Sequence, residues 1–333
     1  MAALERRADV RFEIFSAIPE FLIRQSLARP VGSHHLVCDV GLVNTSALEI
    51  DYKASLQRLS EFYPFDSNQI HELANKVRGL GCDLVVCDIA PMGITVAAKA
   101  GIPSVFTENF TWHWIYEDYL DQEPGFKAFA DQIRSICESV DYHIQTAPAG
   151  VPNAQAWQTE PVSRVNRMSR QELRAQLGVP YHKKLVVLTM GGFSQDFEGI
   201  DALEAFDEAV FLIPGLDRGG PNGPVFGLPH FSDFYHPDLI NAADLVIGKI
   251  GYSTFAEVCN NGVPFGYVAR ENFRESGAIE AYIRAHMPAM AFSEQDFVTG
   301  TWINRMDELL QLKARPKPLV NGADQVAELI LSI

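Results

Sequence analysis

Short β-branched runs alternate with helix-periodic stretches along the chain. That alternation constrains the fold more than any other feature, because it is the pattern of parallel strands joined by helical crossovers. In the first half Val10–Phe15, Asp83–Asp88, Pro103–Thr107 and Tyr142–Gln145 read as strands. Ser67–Leu80, Gly93–Ala100 and Lys127–Val140 read as helices, the first with Ile70, Leu73, Ala74, Val77 and Leu80 on one face. Lys184–Met190, Ala209–Ile213, Val225–Phe226, Leu245–Ile247 and Phe265–Val268 predict a second sheet. Ser169-Arg-Gln-Glu172 predicts a capping box, opening a helix that stops at Gly178 with Pro180 just beyond. The fold class expected is α/β, with two Rossmann-like domains of parallel sheets, and 333 residues suit two domains of ordinary size. The stretch 147–166, rich in Pro, Gln, Asn and Ala, reads as the connection, which divides the chain into 1–155 and 156–318. The final helix, Ala323–Leu331 within 319–333, is expected to return to the first domain. Met1–Arg7 reads as the back half of a helix feeding Val10–Phe15. A parallel unit has a strand before that helix, so the expectation is a first domain lacking its first strand, through a late start or a loss.

Composition narrows the partners. The formal charge is −15 and the pI about 5.0, so the surface repels phosphate backbones and anionic lipid. Nucleic acid is therefore not expected as a partner, and any bound phosphate must be held locally by backbone amides and a few placed cations. The five cysteines, Cys38, Cys82, Cys87, Cys137 and Cys259, are scattered and form no CxxC pair, which suits reduced structural thiols. Met1–Asp9 carries mixed charge and no apolar stretch, and runs such as Leu185–Met190 are far too short to span a membrane. A cytoplasmic protein is expected.

Two strand ends carry chemistry. At 245–257 the run Leu245–Ile247 gives way to Gly248, Lys249, Ile250, Gly251 and then Tyr252, Ser253 and Thr254, with a helix-like pattern following at once. Ligands of parallel α/β sheets sit beyond the carboxyl ends of the strands, where a strand-to-helix turn aims helix amides and the positive dipole end. Glycine there admits close backbone approach, the hydroxyls can donate to phosphate oxygens, and Lys249 adds a cation. The alternative is local: Thr254-Phe-Ala-Glu257 matches a capping box, and Lys249 can be an ordinary solvated lysine. Lys184–Met190 runs into a second glycine turn, Gly191, Gly192, Phe193 and Ser194, in the same half of the chain. Paired, the two turns favour a diphosphate held between them.

This constellation resembles the GT-B glycosyltransferases, especially the branch with the lipid-II-forming N-acetylglucosaminyltransferase and the UDP-glycosyltransferases. The shared features are Ala243-Asp-Leu-Val-Ile247, Gly251, Thr254, Glu257 and Gly262-Val-Pro264. The chain is most similar to the glycosyltransferase-like N-terminal domain of plant L-arabinokinase and its stand-alone bacterial relatives. That likeness rests on Gly-Lys-Ile-Gly-Tyr at 248–252, Val-Pro-Phe at 263–265, Asn-Phe-Thr-Trp at 109–112 and Asp-Leu-Val-Val-Cys-Asp-Ile-Ala-Pro at 83–91. The resemblance implies a donor-binding second domain in which Glu257 holds ribose hydroxyls. Ser253, Thr254 and the Gly191–Ser194 turn would meet the diphosphate, and Arg270 to Glu275 the donor sugar. Two departures stand out. The glycine-histidine loop that follows the first strand in this branch is not found, and no kinase domain is read in these residues, so arabinokinase activity is not expected.

In the first half Asp88, at a strand end, is the candidate base for an acceptor hydroxyl, or else the cap of the helix from Gly93. Asn109 and Trp112 can bracket a sugar, or belong to an aromatic cluster with Phe106, Phe110, Trp114 and Tyr116; His113 is a weaker base candidate. Phe231 and Tyr235, near His230 and His236, are candidates for stacking on the nucleotide base. The pair His34-His35 has no third ligand nearby in sequence, and no metal or other cofactor is expected. The function expected is metal-independent transfer of a sugar from a nucleotide-diphospho-sugar to an unknown acceptor. The alternatives are a non-catalytic nucleotide-sugar-binding protein, a transferase remnant, or a sugar-nucleotide epimerase.

Overall fold

The computed structural model describes residues 1–45, 49–189, 200–216, 223–229 and 232–333. The chain forms two compact units: Met1–Glu160 with Gly322–Ile333, and Pro161–Asn321.

The second unit holds one six-stranded parallel sheet. Its strands are β9 (Lys184–Thr189), β10 (Ala209–Pro214), β11 (Val225–Leu228), β12 (Leu245–Lys249), β13 (Phe265–Val268) and β14 (Ala289–Phe292), in the order β11-β10-β9-β12-β13-β14. This is the doubly wound order, which reverses direction between β9 and β12. Side chains alternate faces along a strand, and here both faces are buried. Leu185, Val187, Val210, Leu212 and Val246 join one apolar cluster, while Val186, Leu188, Phe211, Ile213 and Ile247 join the other. The capping box forms as expected: Glu172 N donates to Ser169 Oγ at 3.3 Å and Ser169 N to Glu172 Oε2 at 3.0 Å.

The first unit carries three small sheets. β1 (Glu13–Ser16) pairs in parallel with β2 (Gly32–His35), and β3 (Val43–Asn44) is antiparallel to β4 (Ile50–Asp51). β5 (Val85–Asp88), β6 (Ser104–Glu108), β7 (Tyr142–Thr146) and β8 (Trp157–Thr159) form a parallel sheet in that order. The strand β8 lies inside the stretch expected to be plain connection. Its Pro- and Asn-rich approach hides an edge strand of three residues, where pairing on one side only tolerates such composition. The helix Ala2–Arg7 packs on the helix Gly322–Leu331, where Ala3, Leu4 and Ala327 form a small core and Arg7 Nη1 meets Asp324 Oδ1 at 2.7 Å.

Candidate functional site

The corner after β12 follows directly from strand order. β9 and β12 are adjacent and parallel, with Thr189 paired to Gly248, so the chain leaves both strands at the same edge of the sheet. That edge is the switch point, where doubly wound sheets bind ligands. Gly191, Gly192, Phe193 and Ser194 follow β9 but lie outside the described residues, as do His230 and Phe231.

The two glycines of the corner do different things. A Cβ at Gly248 would stand 1.8 Å from the carbonyl oxygen of Thr189, so close packing of β12 on β9 demands glycine. A Cβ at Gly251 would meet no atom of the described residues within 4 Å, and its φ of −142° is extended backbone open to any residue. Nothing among the described residues requires glycine at 251. The helix Tyr252–Asn261 starts there with no side-chain cap, so the amides of its first turn point past the end of β12. The capping-box alternative at 254–257 fails for the same reason. The helix begins two residues before Thr254, which is buried inside it, while Ser253 is exposed at its first turn.

Lys249 is no solvated surface lysine. It closes β12 with 8% of its surface exposed, and burial lowers its pKa to about 8, with Arg270 pushing the same way and Glu275 opposing. Glu275, 6% exposed, opens the helix Glu275–His286, and the Arg270 guanidinium lies 3.8 Å over the Phe273 ring. The fold thus brings Lys249, Arg270 and Glu275 into one electrostatic group beside the corner.

Glu257 takes a role the sequence did not suggest. Its carboxylate is 1% exposed; Oε1 accepts from Arg164 Nε at 2.8 Å and Oε2 pairs with His236 Nδ1 at 2.9 Å. Burial works to raise its pKa, but His236 and Arg164 outweigh that and hold it below the ordinary carboxylate range. The carboxylate is thus held by Arg164 and His236 within the second unit. It anchors the segment 161–168, whose Val162 N also donates to Tyr252 Oη at 3.1 Å. Tyr235 is 6% exposed, with Arg167 4.3 Å and Arg164 5.4 Å from its ring, so little of its surface is left for a nucleobase.

In the first unit the helix after β5 spans Met92–Ala100, and its N-cap is Pro91 with no side-chain cap. Asp88 is therefore not the cap. It is exposed at the end of β5, where the atoms packed around it raise its carboxyl pKa while the positive amino terminus pulls the other way. The next residue, Ile89, has φ 62°, a left-handed backbone that a β-branched side chain rarely adopts. Asn109 is 4% exposed, and its carbonyl accepts from Gly150 N at 2.7 Å.

Asp39 was missed in the sequence. Trp112 Nε1 donates to its Oδ2 at 2.6 Å, its Oδ1 is buried with no hydrogen-bond partner, and burial raises its pKa to about 6. The charge on Asp88 acts in the same direction. Trp112 also stacks on Tyr116 at 5.5 Å, so the aromatic cluster forms and Trp112 serves as both wall and donor. The His113 pKa is lowered to about 4 by burial, with Arg134 adding to it, so the ring is neutral at neutral pH. His34 Nε2 pairs with Glu13 Oε2 at 2.9 Å and the ring stacks on Phe15. No helix is long and apolar enough to cross a membrane among the described residues.

Comparison with known proteins places this geometry. No protein-family model matches the chain. L-arabinokinase of Arabidopsis thaliana is 26% identical over 324 residues, covering 95% of this chain and 31% of that protein, so the chain spans about a third of that relative's length. MurG of Acinetobacter baumannii superposes with a TM-score of 0.57 at 14% identity, over 100% of this chain and 95% of that one. A UDP-glucosyltransferase from Polygonum tinctorium, capable of glucosylating indoxyl, superposes with a TM-score of 0.61 at 12% identity, over 99% and 94%. The chain has the GT-B glycosyltransferase fold, two Rossmann-like domains of parallel sheets. Within that fold it is similar to part of L-arabinokinase.

Proposed function

We propose that the chain is a metal-independent glycosyltransferase taking a nucleotide-diphospho-sugar donor at the Gly248–Thr254 corner. The observation that carries this is Gly251: neither its backbone nor any described residue calls for glycine there, at an uncapped helix start two residues after the buried Lys249. A diphosphate satisfies all three. Its oxygens accept from the first-turn amides and the Ser253 and Thr254 hydroxyls, and Lys249 neutralises charge. Gly191–Ser194, which follow β9 in sequence, are assigned to the same diphosphate, and Arg270 and Glu275 to the donor sugar. Glu257 holds the corner in place through Arg164 and His236.

In this reaction the bond from the anomeric carbon to the diphosphate breaks as an acceptor oxygen bonds to that carbon. Negative charge grows on the leaving diphosphate, where fixed amide dipoles and Lys249 stabilise it without a metal ion. The acceptor, bound by the first unit beside Asn109 and Trp112, gives its hydroxyl proton to Asp88. The raised pKa of Asp88 makes it the better base. The test is calorimetry with nucleoside diphosphates and their sugar conjugates, followed by assay of donor turnover with hydroxylated acceptors. Saturable diphosphate binding that Lys249→Met weakens supports the reading; no binding by any nucleoside diphosphate at millimolar concentration ends it.

A further inference from the structure

The second unit has a cavity at the other end of the same strands. It measures about 500 Å3, within the range of small-molecule sites, and Lys184 and Leu245, the first residues of β9 and β12, line it. From Leu245 to Lys249 is about 13 Å along an extended strand, so this cavity is separate from the glycine corner.

Its charge balance is unusual for so acidic a chain. Arg170, Lys184 and Lys317 line it, and Asp244 is its one carboxylate among the described residues. That carboxylate is fully used: Arg170 pairs with Oδ1, while Oδ2 accepts from Arg174 Nη1 at 2.9 Å and from Leu185 N at 2.8 Å. The lysines rest on neutral dipoles alone. Lys317 Nζ donates to Asn241 Oδ1 at 2.7 Å and Asn261 Oδ1 at 3.0 Å, and Lys184 Nζ donates to the Leu310 carbonyl. Burial lowers the Lys317 pKa and Arg170 lowers it further, with no acid opposing. Four cations, counting Arg174, thus share one carboxylate in a chain of formal charge −15. Leu312 and Ala314, with the edges of the buried Val263 and Leu310, give it an apolar side next to Asn166 and Ser169.

We propose that this cavity is a second ligand site, taking a small phosphate monoester whose phosphoryl group meets Lys184 and Lys317 and whose apolar body lies along Leu312, Ala314 and the edge of Val263. A dianion supplies the countercharge the lysines lack. A monocarboxylate supplies half of it, and a free phosphate leaves the apolar wall bare.

Calorimetry with phenyl phosphate and with inorganic phosphate, at low salt, tests this on the full chain. The expected result is tighter binding of phenyl phosphate than of inorganic phosphate. Lys317→Met should weaken phenyl phosphate binding by about tenfold or more, and Lys249→Met should leave it unchanged. Lys317 is an exposed residue, so its replacement leaves the fold standing. As a measurement needing no variant, 13C-methylated lysines of the wild-type chain should show Lys184 and Lys317 resonances moving with phenyl phosphate. Equal affinity in Lys317→Met, loss of binding in Lys249→Met, equal affinity for the two phosphates, or unmoved Lys184 and Lys317 resonances would each overturn the proposal.

Discussion

Alanine at position 251 and alanine at position 248 add the same methyl group to one corner, and the structure assigns them opposite consequences. At 248 the new carbon falls 1.8 Å from Thr189 O and 2.9 Å from its carbonyl carbon, both backbone atoms of the adjacent strand. β9 and β12 must part to admit it, an overpacking cost of about 1–3 kcal/mol or more. A unit of this size loses about 2–4 °C of melting temperature per kcal/mol. At 251 the carbon enters open space on extended backbone. The weaker N-cap preference of alanine costs roughly 0.5–1 kcal/mol, and reduced freedom of the unfolded chain returns a similar amount, so stability barely moves. Ligand affinity behaves the other way. A methyl standing where a diphosphate oxygen approaches forfeits one charge-assisted hydrogen bond, roughly 1.5–3 kcal/mol or about 10- to 100-fold in affinity. Differential scanning fluorimetry on both variants, with calorimetry against nucleoside diphosphates, reads both effects. Should Gly251→Ala bind a nucleoside diphosphate as well as the wild type, or melt as early as Gly248→Ala, the diphosphate assignment of this corner is refuted.

Three further outcomes are expected. Glu257→Ala should destabilise by about 2–4 kcal/mol through loss of two charge-assisted hydrogen bonds, the share of Arg164 being discounted because its side chain is 38% exposed; a melting temperature equal to wild type in circular dichroism would contradict the anchoring role. Lys249 is protonated below about 8 and loses its proton above, so diphosphate affinity should fall as pH rises past that point, and Lys249→Met should flatten the profile; a flat wild-type profile between pH 6.5 and 10 counts against contact. Asp39 has its pKa raised to about 6, so the native chain holds a proton between about 4 and 6 that the unfolded chain releases, and this group's stabilisation is lost as pH rises through that window. Asp39→Asn should therefore be the more stable form at pH 7, by about 3 kcal/mol, with the difference shrinking toward pH 4; chemical denaturation showing the variant weaker at pH 7 would dispose of the idea.

Local signals in the sequence were reliable wherever the physics is local. The Ser169–Glu172 capping box, the helix stop at Gly178 and the strand Phe265–Val268 need only neighbours within a few residues, and each forms. Leu245–Ile247 reads as too short a strand because glycine and lysine are poor strand formers. Burial between β9 and β13 extends it through Gly248 and Lys249, paired to Tyr267 and Val268. The strand Ala289–Phe292 and the helix Tyr52–Phe62 carried too weak a pattern to read. Long-range partners were illegible for a different reason. Asp39 meets Trp112 across 73 residues and Arg164 meets Glu257 across 93, and no spacing rule spans such distances. The Thr254–Glu257 pattern misled because it repeats the capping-box spacing inside a helix that had already begun.

The placement of cations in the second unit follows from the acidity of the whole. A chain at −15 gains nothing by burying lysine, since each ammonium removed from water costs free energy that its surroundings must offset. Yet Lys249 sits at 8% exposure at one end of β12 with Glu275 acting on it, while the half-buried Lys184 and the exposed Lys317 rest on uncharged oxygens at the other. Structural cations in this same unit look different: Arg170 and Arg174 share Asp244, and Arg164 takes Glu257. Where the fold needs a positive charge, it supplies a carboxylate. Where a lysine rests on neutral oxygens alone, as Lys184 and Lys317 do among the described residues, a ligand supplies the negative charge on the reading proposed above. The two proposals place ligands at opposite ends of β12, so the two lysine sets should respond independently when each is replaced by methionine.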